Sequence, residues 1–253
     1  QAGKSSLLYA DMAQAPWLLR QVAVSQMPSV VAFAALRSMP ATAPAARPFV
    51  GIGDPVFNLA SATAPTRGIV RRNLSLKPAA VNTENRINFD LLPQLPDTAL
   101  ELRDIAKVLA ADGERDILLQ KAASESRVKA ADLAAYRVVM FATHGLMSGE
   151  MPGLYQPALA LSNPQLSGDS EDGMLTMEEI LGLKLKADWV VLSACNTAAA
   201  DSNLGGAESF SGLGRAFFFA GARALLATSW AVETESARLL TTDTFRRQLA
   251  QPG

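Results

Sequence analysis

Two short runs limit the fold more than anything else in the chain. Tyr136–Gly145 reads YRVVMFATHG and Asp188–Thr197 reads DWVVLSACNT. Each is apolar at successive positions, is rich in β-branched residues, and stops abruptly in small or polar residues. A strand with no alternation is covered on both faces, which is how the strands of a buried parallel sheet read. The first run delivers His144 to its C-terminal end and the second delivers Cys195. The 253 residues contain one histidine and one cysteine, and both stand at this same kind of position. If the strands are parallel, both side chains leave the sheet at one edge, where open α/β sheets bind ligands.

Composition narrows the partners. A hydrophobic share of 49% supports a sizeable core, and a formal charge of −1 gives nucleic acid or an acidic membrane surface nothing to attract. A lone cysteine excludes an internal disulfide, and with a lone histidine no zinc cage is expected. Neither a metal nor a cofactor is therefore expected. No run of about 18 apolar residues is present, so no membrane span is expected. The chain opens on Gln1 and stops at Gly253 soon after a helical stretch, which reads as a piece truncated at both ends. Gly3-Lys4-Ser5 resembles the tail of a phosphate-binding loop, but the earlier glycine and the preceding strand are missing.

Strands alternate with helices along the rest of the chain, which predicts a doubly wound, mostly parallel sheet with helices on both faces in one domain spanning 1–253. Short strands are expected at Arg20–Gln26, Phe49–Gly53, Pro157–Leu161 (one arm of a hairpin) and Arg223–Thr228. Helical patterns are expected over Val30–Leu36, Ser124–Ala134 and Leu213–Gly221, the last dense in phenylalanine and expected to be buried. Thr98 with Glu101, and Thr176 with Glu179, each match the T-x-x-E capping box that opens a helix. Thr234 is expected to cap a final helix with Ala237, Leu240 and Phe245 inward. Residues 58–96 show no period and read as an irregular insertion.

A thiol and an imidazole at one sheet edge suggest a nucleophile and its base, because the thiolate attacks a carbonyl and the imidazole can take its proton. The histidine lies about 50 residues upstream of the cysteine, as in caspase-like enzymes. This order also disfavours glutaminase-type amidotransferases, whose nucleophile comes first. Backbone amides of Gly145 and Cys195, where the strands turn, are natural donors to an oxyanion. Asp54, at the end of its own strand, is a candidate orienter of the imidazole. Glu208, Ser229, Trp230 and Glu233 flank the site motifs and are candidates for a specificity pocket.

ATHG at Ala142–Gly145, LSACNT at Leu192–Thr197, SGLGRAFFFAGA at Ser211–Ala222 and TSWAV at Thr228–Val232 resemble the bacterial CHAT domain. PSVVAFAALR, GIGDP, Leu95-Pro96 and PALALS resemble its outlying motifs, so the resemblance runs from about Trp17 to Leu249. It implies a caspase-like α/β fold of the caspase and separase clan, with His144 and Cys195 as the catalytic dyad of a cysteine protease. Such a protein would act on a protein or peptide substrate, in a cytoplasmic setting, under tetratricopeptide repeats or other regulatory domains outside this piece. The same resemblance admits a catalytically silent signalling or scaffold module.

Overall fold

The computed structural model describes residues 14–18, 21–22, 29–31, 34, 38, 45–58, 87–193, 207–227 and 234–250, and of residues 207–211 and 234 the backbone alone. The chain divides into two compact units, Gln1–Thr42 and Ala43–Gly253. In the first, Val30, Val31 and Ala34 are helical, as their apolar run implies. Gln21 and Val22 donate to the Leu18 carbonyl at 2.9 and 3.0 Å, closing a turn where a strand over Arg20–Gln26 was expected. The other residues of that expected strand lie outside the described ones, apart from this pair.

The second unit is built on β1 (Arg47–Gly53), β2 (Ile117–Leu119), β3 (Tyr136–Ala142), β7 (Trp189–Leu192) and β8 (Leu225–Ala227). They pair in the order β2-β1-β3-β7-β8, every pair parallel. A smaller antiparallel sheet of β4 (Gly145–Leu146), β5 (Ala158–Ala160) and β6 (Met174–Thr176) follows directly on β3. The hairpin expected around Pro157–Leu161 is therefore present, with β5 as the middle strand.

Helices cover both faces of the large sheet, and the strand residues sort between them with period two. Val138, Met140 and Ala142 of β3 join Phe49, Leu102, Ile105 and Phe245 in one apolar layer. That layer belongs to α1 (Asp97–Val108) and to the last helix, α6 (Thr234–Ala250). Val139 and Phe141 face the other way, with Val190, Leu192, Val128, Ile180 and Phe217. Val190 and Leu192 belong to β7, and the last three come from α2 (Glu125–Ala130), α4 (Met177–Leu181) and α5 (Ala207–Phe219); α3 (Pro164–Ser167) is a single turn. With apolar layers on both sides, β3 and β7 have no polar face to show, which is why neither alternates.

The glycines of FVGIG serve this packing. A Cβ on Gly51 would lie 2.7 Å from Leu102 Cδ2, and one on Gly53 would lie 2.8 Å from Leu102 Cδ1. Only bare backbone lets α1 settle so close to β1. Gly221 turns the chain from α5 back to β8 at φ +112°, where a Cβ would meet the Leu185 carbonyl at 2.2 Å.

The two T-x-x-E motifs part company. At α4 the box forms: Thr176 Oγ1 accepts from the Glu179 amide, and the Glu179 carboxylate accepts from the Thr176 amide at 2.8 Å. At α1 it does not. That helix starts behind Pro96, and Thr98 accepts from the Asp54 amide while donating to the Leu95 carbonyl. Glu101 is fully buried and accepts from the hydroxyls of Ser193, at 2.9 and 3.0 Å, and Thr241, at 3.0 Å.

Other expectations need correction. The helix expected over Ser124–Ala134 closes after Ala130, and a 3-10 turn at Leu133–Ala135 follows. Phe217 is buried, but Phe219 is 81% exposed, because three successive phenylalanines on a helix cannot share one face. Leu240 is likewise exposed, while Ala237 and Phe245 point inward as expected. Within the 58–96 segment, Phe89–Leu91 form a 3-10 turn, and Phe89, Leu92 and Leu95 are buried. Among the described residues no helix is long and apolar enough to cross a membrane.

Candidate active site

β3 runs into Thr143 and His144 and then directly into β4, so the histidine is fixed from both sides. Its carbonyl accepts from the Ala160 amide of β5 at 2.9 Å, and the Thr143 hydroxyl donates to the Ala160 carbonyl. Antiparallel pairs alternate between bonded and non-bonded. With His144 and Ala160 bonded, the neighbouring pair of Gly145 and Leu159 is the non-bonded one, and the Gly145 amide turns away from β5.

The imidazole is 1% exposed. Its Nε2 lies 2.8 Å from the Pro93 carbonyl oxygen, and its ring packs on Phe57 with centroids 5.4 Å apart. A carbonyl can only accept, so Nε2 carries the proton, and in the neutral ring the lone pair sits on Nδ1. The nitrogen fit to act as a base is thus Nδ1.

The expected direct orienter, Asp54, has other partners. Its carboxylate accepts from the side-chain amides of Gln94, at 3.0 Å, and Gln120. Burial is the main cause that raises its pKa above the ordinary aspartate value, against the lowering effect of those two amides. The ring is held instead by a main-chain oxygen that no residue type announces. Leu95-Pro96, two positions further on, is the nearest sequence signal.

The neighbouring strand is also held. Ser193 follows β7, donates its amide to the Phe141 carbonyl at 2.9 Å, and binds Glu101 through its hydroxyl. Cys195, Ser229, Trp230 and Glu233 lie outside the described residues; Glu208 falls on α5, of which only the backbone is described there.

Phe57 also lines a cleft of about 610 Å³, together with Ile87, Phe89, Asp90, Leu166 and Asp172. Elsewhere, Glu125, Glu171 and Glu179 come within 4.8 Å of one another, and the Lys129 ammonium already sits among them at 2.7, 3.0 and 2.7 Å.

A family model that describes the CHAT domain matches residues 6–253. The chain belongs to the CHAT domain family. The CHAT domain is caspase-like and protease-related, and its five-stranded parallel sheet flanked by helices is the fold that this membership implies. No curated protein matches this CHAT domain.

Proposed function

We propose that this CHAT domain is a cysteine endopeptidase acting on a protein substrate, with Cys195 as nucleophile and His144 as base. The observation that carries the reading is the histidine's setting at the C-terminal end of β3, with Nε2 committed to Pro93 and Nδ1 left as the basic nitrogen. The pairing of β3 with β7 supports it: Phe141 lies opposite Leu192, and paired residues differ in number by as much as His144 and Cys195 do.

In this reading Nδ1 takes the thiol proton and the sulfur attacks the scissile carbonyl carbon. The oxyanion so formed is met by the amides of Gly145 and Cys195. As the C–N bond breaks, the imidazolium returns its proton to the leaving amine. Water, activated by the same nitrogen, then hydrolyses the thioester and frees the acid. An acidic pocket residue, Glu208 or Glu233, would select a basic side chain beside the cleaved bond, with Ser229 and Trp230 as neighbouring walls. The regulators would be tetratricopeptide repeats or other attached domains in a bacterial cytoplasm.

Cys195→Ala is expected to abolish cleavage and labelling by an electrophilic peptide probe. Normal cleavage by that variant would overturn the assignment. One observation favours a second reading, a silent signalling or scaffold module: the imidazole is almost wholly covered. That reading requires Cys195 to react like an ordinary thiol, and a broad peptide library to remain uncut even with the full-length partners present.

A further inference from the structure

Two residues without glycine's freedom sit at positive φ and touch each other close to His144. Asp54, at φ 44°, ends β1, and Gln120, at φ 52°, ends β2. The Gln120 amide donates to the Asp54 carbonyl at 3.0 Å, and its side-chain amide donates to that carbonyl at 3.1 Å and to the Asp54 carboxylate. Left-handed backbone costs energy at such residues and persists only where the surroundings enforce it. Here the enforcing bonds converge on one residue, two on the Asp54 carbonyl and one on its carboxylate.

The other carboxylate oxygen takes the Gln94 side-chain amide at 3.0 Å. Gln94 also donates to the Pro55 carbonyl and accepts from the Phe57 amide at 3.3 Å. The Asp54 amide donates to Thr98 at 2.8 Å, and Thr98 donates to Leu95 at 2.7 Å. Gln94 directly, and Leu95 through Thr98, are thus tied back to Asp54 just after Pro93. Phe57, the ring against the imidazole, is tied in as well. Arg103 and Asp97 of α1 also act on the Asp54 carboxyl, the first lowering its pKa and the second raising it.

We propose that Asp54 is a positioning residue for His144, acting through Gln94 to hold the Pro93 carbonyl against Nε2. It selects the ring tautomer without touching the ring. Asp54→Asn is a sharp probe, because an amide has one acceptor where the carboxylate has two. Its NH₂ would confront one of two glutamine NH₂ groups that are already committed to backbone carbonyls. The proposal rests on the reading of His144 as base, but its test does not depend on any cleavage.

The chain has a single histidine, so ¹⁵N-histidine labelling of the whole protein gives one ring to follow by NMR. The wild type is expected to show the Nε2–H tautomer with a slowly exchanging proton. Asp54→Asn is expected to give a mixture of tautomers and a displaced titration of the ring. Gln94→Met, at a half-buried site, is expected to do the same, and it decides the matter if Asp54→Asn fails to fold. Asp116→Asn is the control: this buried carboxylate binds Tyr136 and Arg115 at the opposite end of β2, so its loss should cost stability and leave the ring spectrum unchanged. Ring spectra of the folded variants that superimpose on the wild type would overturn the proposal, as would an Nδ1–H tautomer in the wild type. Where cleavage is found, kcat should fall about 10- to 100-fold with KM little changed. If none is found in any form of the protein, the protease reading fails while the spectrum still decides the positioning role.

Discussion

The starts of α1 and α4 carry one sequence motif and give it two different uses. At α4, Thr176 and Glu179 close on each other, and the Glu179 carboxylate, 30% exposed, has its own helix end within reach and Lys129 beside it. At α1 the same spacing puts Glu101 on the face that packs against the sheet. There the hydroxyls of Ser193 and Thr241 take up the carboxylate, 92 and 140 residues away in sequence. A capping box is a local bargain that holds while the glutamate stays near the surface. Once the position is buried, long-range partners decide where the carboxylate goes.

The sharpest way to break this comparison is to remove the members of the two motifs one at a time. Glu101→Ala is expected to cost about 3 kcal/mol, since it removes the acceptor that two buried hydroxyls share and opens a cavity. Thr98→Val should cost less, about 1–2 kcal/mol, by leaving the buried Asp54 amide without its acceptor. Thr176→Ala, the loss of an ordinary cap, should cost about 1 kcal/mol. Urea denaturation of the three variants checks the order, and a cost for Glu101→Ala no larger than that for Thr176→Ala would make the two starts equivalent.

The smallest effect concerns pH at α4. Burial, aided by the Glu179 charge, pushes the Glu125 carboxyl up to about 8, while Glu179 is held well below the ordinary glutamate range by Lys129 and Thr176, against its own burial. Glu125 is raised above its unfolded value, so its contribution is complete in acid and is lost as pH climbs through about 8. Glu179 is depressed, so its contribution is complete above the ordinary glutamate range and is lost as pH falls. Melting temperature should therefore drop on both sides of neutrality. Glu125→Gln, neutral throughout, should flatten the alkaline drop alone, and an unaltered alkaline limb would refute the assignment of that proton.

What could be read from the sequence follows from the same contrast. β3 and β7 were legible almost residue for residue, because burial on both faces leaves a mark at every position. His144 was legible through scarcity and its place at a strand end. Its actual partner was not, because a main-chain carbonyl belongs to every residue and Pro93 lay in a stretch with no period. On α6 the inward stripe is Ala237, Thr241 and Phe245, and a threonine in the middle of it hides the helical period. Leu240 looked like the better core residue because the carboxylate that Thr241 reaches lies far away in sequence.

Glu101 has one more consequence. This one buried carboxylate joins α1, on which it stands, to the residue that follows β7 and to α6. If that final helix peeled off alone, the buried carboxylate would lose the Thr241 hydroxyl, one of the bonds that lets it sit in the interior. The tail of the chain is therefore bound to melt together with the middle of the sheet, as one cooperative block, and not to fray from its end.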